Sequence, residues 1–197
     1  MSQQEIWNSI APLWKTFRKN PLPEAVDFLK NKKGRILDLG CGTGRHFMKN
    51  GEFYGVDFSE GMIKLAKKNK VKVKLFVASA DSLPFEDNFF DSAIFIAALH
   101  CIETKEKREK ALGELFRTLK QNSEALITVW SKKHTKLANH PKNSTIAWKK
   151  GSEELQRYYY LYDKEELEKL LKSVGFKVVS IVDDNKNIIV IVRKPSS

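Results

Sequence analysis

The order of apolar segments predicts an α/β protein built on one doubly wound, mostly parallel sheet. Three observations carry that expectation. Short apolar runs alternate with helix-spaced segments up to Trp130. One of the runs, Phe90 to Ala98, is apolar without interruption from Ala93 onward, as a strand covered on both faces is. With 197 residues, 42% of them hydrophobic, the chain suits a single packed domain, and it shows no repeat, low-complexity stretch or Gly/Ser linker.

Trp7, Ile10, Trp14 and Phe17 recur at helical spacing, so residues 1–30 read as a helical cap. Gly34–Leu39 is the first strand, Phe53–Phe58 the second, Val71–Ala78 the third, Phe90–Ala98 the fourth and Glu124–Trp130 the fifth. Ser59 caps a helix whose inner face is Met62, Ile63 and Ala66. Thr104 caps another that carries Ala111, Leu112, Leu115, Phe116 and Leu119. Asp163 and Glu166 form a capping box before Leu167, Leu170, Leu171 and Val174, and Gly175 stops that helix. Phe176–Val182 and Asn187–Val192 flank the turn residues Asp183, Asp184 and Asn185 and close the sheet as a hairpin, its seventh strand antiparallel. Residues 131–160 are basic, aromatic and aperiodic, which reads as a long functional loop on the substrate side.

The net charge of +11 points to an anionic partner or to a solvated lysine-rich surface. Its densest runs are Lys64, Lys67, Lys68, Lys70, Lys72 and Lys74, then Lys105, Lys107, Arg108 and Lys110. No apolar run reaches the roughly 18 residues a spanning helix needs. The opening MSQQEIWNSI lacks the pattern of a signal peptide, so a cytoplasmic protein without a membrane partner is expected. Two cysteines without a CxxC pair, Cys41 and Cys101, exclude a disulfide scaffold and a self-contained cysteine zinc site. No metal is expected.

The chemistry concentrates at strand ends. Asp38-Leu39-Gly40-Cys41-Gly42-Thr43-Gly44 lies where the first strand is expected to hand over to a helix. Its glycines permit positive φ and close backbone approach to a ligand, and free amides there favour an anion. Asp57 ends the second strand, where a carboxylate accepts both hydroxyls of a ribose. Asp81 follows the third strand in Ala80-Asp81-Ser82-Leu83-Pro84-Phe85, placed to take an adenine amino proton.

Three acids after three successive strands, with D-x-G-x-G-x-G rather than G-x-G-x-x-G at the turn, make the chain resemble the class I S-adenosylmethionine (SAM) methyltransferases. The resemblance implies a Rossmann-like, doubly wound seven-stranded sheet in one domain spanning 1–197. It implies that Gly40, Gly42 and Gly44 flank the methionine moiety, Asp57 holds the ribose, and Asp81 with Ser82 holds the adenine between Phe58 and Met62. Asp38 would orient the amino end, Ala97 would line the site, and Arg18 would reach the carboxylate. Ile94–His100, Val129-Trp130, Trp148-Lys149 and Arg157-Tyr158-Tyr159 narrow the likeness to the tRNA wobble-uridine carboxymethyl methyltransferases, whose domain also occurs in the AlkB-homologue tRNA hydroxylase. That family esterifies 5-carboxymethyluridine in the tRNA anticodon loop, yielding S-adenosylhomocysteine. It also implies a small zinc-binding activator subunit added at the third-strand edge.

A carboxylate is already ionised at neutral pH, so such a reaction needs an anchor rather than a base. Arg157 is the expected bidentate anchor and Lys149 a second cation. His100 would donate to the uracil or carboxylate, while Trp130, Tyr158 and Tyr159 would stack on an extruded base. His46 reads as helix surface or packing beside the cofactor. Two rival readings are a methyltransferase acting on a quinone-like or phenolic small molecule, and a scaffold subunit that keeps the fold without catalysis.

Overall fold

The computed structural model describes residues 1–137 and 139–196. The chain opens with α1 (Gln3–Phe17), whose Ser2 cap accepts from the Glu5 N–H while the Glu5 carboxylate accepts from the Ser2 N–H. After Pro21 and a second proline at the first turn comes α2 (Pro23–Leu29). Then follow β1 (Arg35–Leu39), β2 (Glu52–Asp57), α3 (Glu60–Ala66), β3 (Val73–Val77), β4 (Phe90–Ile96), α4 (Lys105–Thr118) and β5 (Leu119–Trp130). The chain continues through β6 (Asn143–Lys150), β7 (Glu153–Tyr160), α5 (Lys164–Val174), β8 (Lys177–Asp183) and β9 (Asn187–Arg193).

Seven strands form one sheet in the order β3-β2-β1-β4-β5-β9-β8, in which β9 runs antiparallel to both of its neighbours. Alternation along each strand supplies two cores. Leu37, Leu39, Phe95, Ile127 and Val190 meet α4 and α5 through Leu112, Leu115, Leu167 and Leu171. Ile36, Ile94, Ile96 and Leu126 meet α2 and α3 through Leu29, Ile63 and Ala66. The unbroken apolar run in β4 thus serves both faces, as expected of a central strand. Connections leave β1 and β4 in opposite directions along the sheet, and the crevice this opens at their carboxyl ends is where doubly wound sheets bind ligands.

Several expectations need correction. No helix follows the glycine-rich turn: residues 40–51 run to β2 as turns. Gly40, Gly42 and Gly44 all adopt positive φ within five residues, which breaks a helical path, and Asn50 ties the segment to the carbonyls of Leu29 and Lys32. The irregular loop expected over residues 131–160 is in its second half a separate two-stranded sheet, β6 paired antiparallel with β7. Its inward row reads Leu155, Arg157 and Tyr159, so a guanidinium at an apolar position concealed the two-residue period. Asp163 does not cap α5 with its side chain; the Lys142 ammonium, 2.5 Å from Asp163 and 2.8 Å from Glu166, engages both members of the expected box. Leu119 leaves α4 to open β5 opposite Phe90. Gly175 does end α5, with φ 109.

Helix α1 lies across the carboxyl ends of the strands and is fastened to α3 by one side chain. Asn8 Oδ1 accepts from the Ser59 hydroxyl at 2.7 Å and from the Gly61 N–H at 3.0 Å. Replacing Asn8 with Ala strands both donors, and urea denaturation should show a loss of about 1–3 kcal/mol with an unchanged denaturant slope.

Candidate active site

A pocket opens at the carboxyl ends of β1 to β4 beneath α1. Trp7 and Trp14 of α1 roof it, the glycine turn forms one wall, and residues 95–98 with Cys101 form the opposite wall. Gly40 turns at φ 68, and a Cβ there would stand 2.4 Å from the Ala98 Cβ. A Cβ on Gly42, φ 53, would meet only the Trp14 Nε1 at 3.9 Å, so its bare backbone leaves room inside the pocket.

The acids behave differently from one another. Asp57 accepts from the Gly42 N–H at 2.8 Å and from the Ser59 N–H at 2.9 Å, which shapes both the turn and the start of α3. Burial nevertheless pushes its carboxyl up to about 6. Asp38 is 1% exposed, and neither of its carboxylate oxygens has a hydrogen-bond partner. Burial pushes it up to about 8; the Arg45 guanidinium opposes that rise and the Asp57 charge adds to it. His46 Nδ1 lies 4.0 Å from Asp38, but burial holds this imidazole down at about 3, so it is neutral and supplies no counter-charge. Asp81 sits at the far wall, where its carboxylate accepts the Ser79 hydroxyl.

Of the expected cofactor residues, Gly40, Gly42, Asp57, Phe58, Met62, Asp81 and Ala97 line the pocket. Asp38 and Gly44 stand behind the turn, and Ser82 is exposed beyond the wall. Arg18 lies outside as well, exposed at the end of α1 with its guanidinium 5.3 Å from the Trp14 ring centre. Arg45, half-buried on the wall, occupies the place foreseen for it. Ala97 takes φ 52, rare for a side-chain-bearing residue, and its N–H donates to the Thr128 carbonyl and hydroxyl at 3.0 Å each. That bend turns the chain into a short 3-10 segment, Leu99–Cys101, and brings Cys101 to the pocket.

The expected substrate residues divide into two groups. Trp130 and Tyr159 stack face to face at 4.4 Å, with His100 stacked on both. His100 is 1% exposed, accepts from the Trp130 N–H through Nδ1, and is held by burial at about 3. Arg157, 6% exposed, donates Nη1 to the Tyr159 hydroxyl and lies within 5.9 Å of the ring centres of Trp7, Trp14, Trp148 and Tyr159. Among the described residues no carboxylate pairs with it. These four side chains form one cluster next to the pocket, and the Arg157 charge is felt by the Cys101 thiol on its wall. Tyr158 and Lys149 belong to the other face of the hairpin. The Tyr158 hydroxyl accepts from Arg108 and donates to Asn143, while Lys149 is exposed opposite Glu154. Arg108, read as part of a solvated run, is buried and also donates to the carbonyls of Ile102 and Glu103.

Sequence reasoning passed over Arg45, Thr43, Gln3 and Lys107, which all line the pocket. For Arg45 and Thr43 the adjacency to the glycine turn was an available signal; Lys107 was noted only as a member of a basic run, and for Gln3 there was none. Among the described residues no group of three or more His, Cys, Asp and Glu converges on a metal-sized space, and no helix is long and apolar enough to cross a membrane.

Sheet order, glycine turn and strand-end acids define the class. Residues 37–127, a little under half of the chain, match the family described as "Methyltransferase domain". Within that class it is similar to the tRNA (carboxymethyluridine(34)-5-O)-methyltransferases of Arabidopsis thaliana, 37% identical over 130 residues, and of Saccharomyces cerevisiae, 35% identical over 131. Each match covers 64% of this chain, but only 32% of the plant protein and 47% of the yeast one, so the chain matches less than half the length of either relative. Its fold matches a chain in the complex between the Haloferax volcanii Trm112 methyltransferase activator and a methyltransferase, with TM-score 0.73, 15% identity, and coverage of 96% of this chain and 98% of that one.

The titrations give a signed test. Asp38 keeps its proton in the folded chain up to about pH 8, whereas an unfolded aspartate loses it near ~3.9. The folded state binds more protons across that interval, so Asp38 makes stability fall as pH rises through it. His46 and His100 act oppositely below pH 6.5, because the unfolded chain protonates them first. Between pH 6.5 and 8 the Asp38 effect stands clear of both. The thermal midpoint of the ligand-free protein should drop over that window, and Asp38→Asn should flatten the drop; an equally steep fall in the variant would refute the assignment.

Proposed function

We propose that the protein transfers the methyl group of SAM to the carboxylate of 5-carboxymethyluridine at the tRNA wobble position. The observation that carries this reading is a pair of incomplete buried sites of opposite character on the two sides of one pocket. Behind the glycine turn, the Asp38 carboxylate lacks any donor. In the ring cluster at the other side, the Arg157 guanidinium lacks a carboxylate and its Nε lacks any acceptor. An ammonium-bearing cofactor completes the first, and an anionic acceptor completes the second.

The residues present fit SAM. Asp38, protonated in the empty fold, would give up that proton to take the amino group, directly or through water, and Arg45 would take the carboxylate of the methionine end. The outward lone pairs of Asp57 accept the ribose hydroxyls, its backbone bonds to Gly42 and Ser59 having already fixed its orientation. Phe58 and Met62 cover the adenine, and Asp81 accepts its amino group. When bound, SAM supplies an electrophilic methyl on a sulfonium.

The remaining work falls to the chain. Arg157 orients the acceptor carboxylate, and the His100–Trp130–Tyr159 stack walls the base and excludes water. No group has to remove a proton, because the acceptor arrives ionised. A phenolic acceptor is disfavoured by the same geometry: His100, the one base foreseen for it, is sealed under two rings and held at about 3, far too weak to deprotonate a phenol near ~10. Surface charge of +11 supports an RNA partner. β3 pairs on one side with β2 and leaves its other edge open, with Val77 48% exposed, which supports strand addition by a small activator subunit like the one bound to the archaeal relative in fold.

Incubation with carboxymethylated tRNA and labelled SAM, followed by mass spectrometry of wobble nucleosides, should give the labelled methyl ester. Arg157→Lys keeps the charge and loses the fork, so kcat/KM for tRNA should fall about tenfold with S-adenosylhomocysteine affinity retained. Label recovered only on small organic acids would overturn the assignment.

A further inference from the structure

Three buried nitrogen donors in the ring cluster have no hydrogen-bond partner: Nε1 of Trp7, Nε1 of Trp148 and Nε of Arg157. They come from three separate elements, α1, β6 and β7. The guanidinium carbon lies 4.7 Å from the Trp148 ring centre and 5.9 Å from that of Trp7. Ring faces offset part of the cation's desolvation. An indole N–H lies in the plane of its own ring, so that ring's face does not satisfy it, and neither Trp7 nor Trp148 Nε1 has an oxygen or nitrogen acceptor. Each stranded buried donor destabilises the empty fold, so three in one cluster is a concentrated deficit. An oxyanion that reached the guanidinium would neutralise the arginine inside the ring cluster that carries the two indoles.

We infer that Trp7 and Trp148 are specificity-determining residues of the acceptor site, their indole N–H groups joining Arg157 in a donor set for one carboxylate. This rests on the reading that the acceptor is the carboxylate of a modified uridine. It goes further in explaining how an acid is told from its amide. A carboxylate has two anionic oxygens, enough lone pairs for all three donors, and the charge that Arg157 lacks. A carboxamide of the same shape leaves the cation unneutralised and brings N–H groups of its own against the donors.

The surroundings of the set follow from the construction of α1. Gln3 and Gln4 bond to the backbone of Gln156, Tyr158 and Phe58, and Asn8 bonds to α3, so the first half of the helix is tied down. Pro12 then interrupts the ladder, because it has no N–H to offer the Asn8 carbonyl. Beyond it, Trp14 and Phe17 meet Trp148 through ring contacts at 5.7 Å each, and Phe17 remains 69% exposed. The second half of α1 is therefore held to the hairpin through its rings.

The test uses the intact chain saturated with S-adenosylhomocysteine and follows tryptophan fluorescence during titration with two nucleosides, 5-carboxymethyluridine and its carboxamide. The acid should bind at least about tenfold more tightly. Trp148→Phe and Trp7→Phe keep a ring and delete the N–H, and each should cut that preference about tenfold. Far-UV circular dichroism and the thermal midpoint report that the variants are folded. Equal binding of acid and amide by the wild type, binding of neither, or a preference undiminished in both variants would overturn the inference. Methyl transfer to tRNA is read separately. Wild-type activity with an unaltered tRNA KM in both variants sinks the donor set and leaves the reaction standing. An indole-dependent preference for the acid without any methylation of tRNA upholds the donor set and sinks the reaction.

Discussion

The burial of two carboxylates at the ends of adjacent strands is the constraint on which the site depends. Asp57 satisfies itself with backbone amides and in doing so welds the glycine turn to the start of α3. Asp38, one strand over, is enclosed by the same turn and given nothing. The first acid makes the cradle rigid; the second makes it incomplete. A site built this way meets its ligand with little rearrangement, and the ligand returns the free energy that burial of Asp38 withholds from the empty fold.

Much of this was legible in the residues, for reasons that can be named. The sheet could be read because each strand is short, apolar and closed by a turn residue, and because β4 is apolar on both faces. The acid–glycine constellation could be read because its members share strand ends. Legibility failed where a distant residue decides the local structure. Asp163 and Glu166 have the spacing of a capping box, but Lys142 reaches them from more than twenty positions upstream. The β6–β7 hairpin has the period of a strand pair, but its inward row contains Arg157, and the rings gathered round it from α1, β6 and β7 make that position tolerable. No local rule could foresee that Tyr158 and Tyr159, neighbours in a run of three tyrosines, would face opposite ways; the pleat required it.

The ring cluster also recasts what α1 is for. Its helical spacing of Trp7, Ile10, Trp14 and Phe17 looks like an ordinary apolar stripe seeking a core. Ile10 does enter one, fully buried, but the tryptophans surround a cation and roof a pocket. One face of one helix therefore serves packing at one position and recognition at the next, which is why such a stripe says little about function until its neighbours in space are known.

The antiparallel β9 has a consequence for how the molecule is made. On a chain emerging from the ribosome, β8 appears before β9, yet it touches the rest of the sheet only through β9. Until the later segment arrives, β5 is left as a bare flank and β8 has no strand to pair with, although α5 can already pack on α4. The nascent protein thus passes through a stage at which the ligand-binding half is already contiguous while the far flank stays open to misassociation, a window that chaperones or early cofactor capture would be suited to guard.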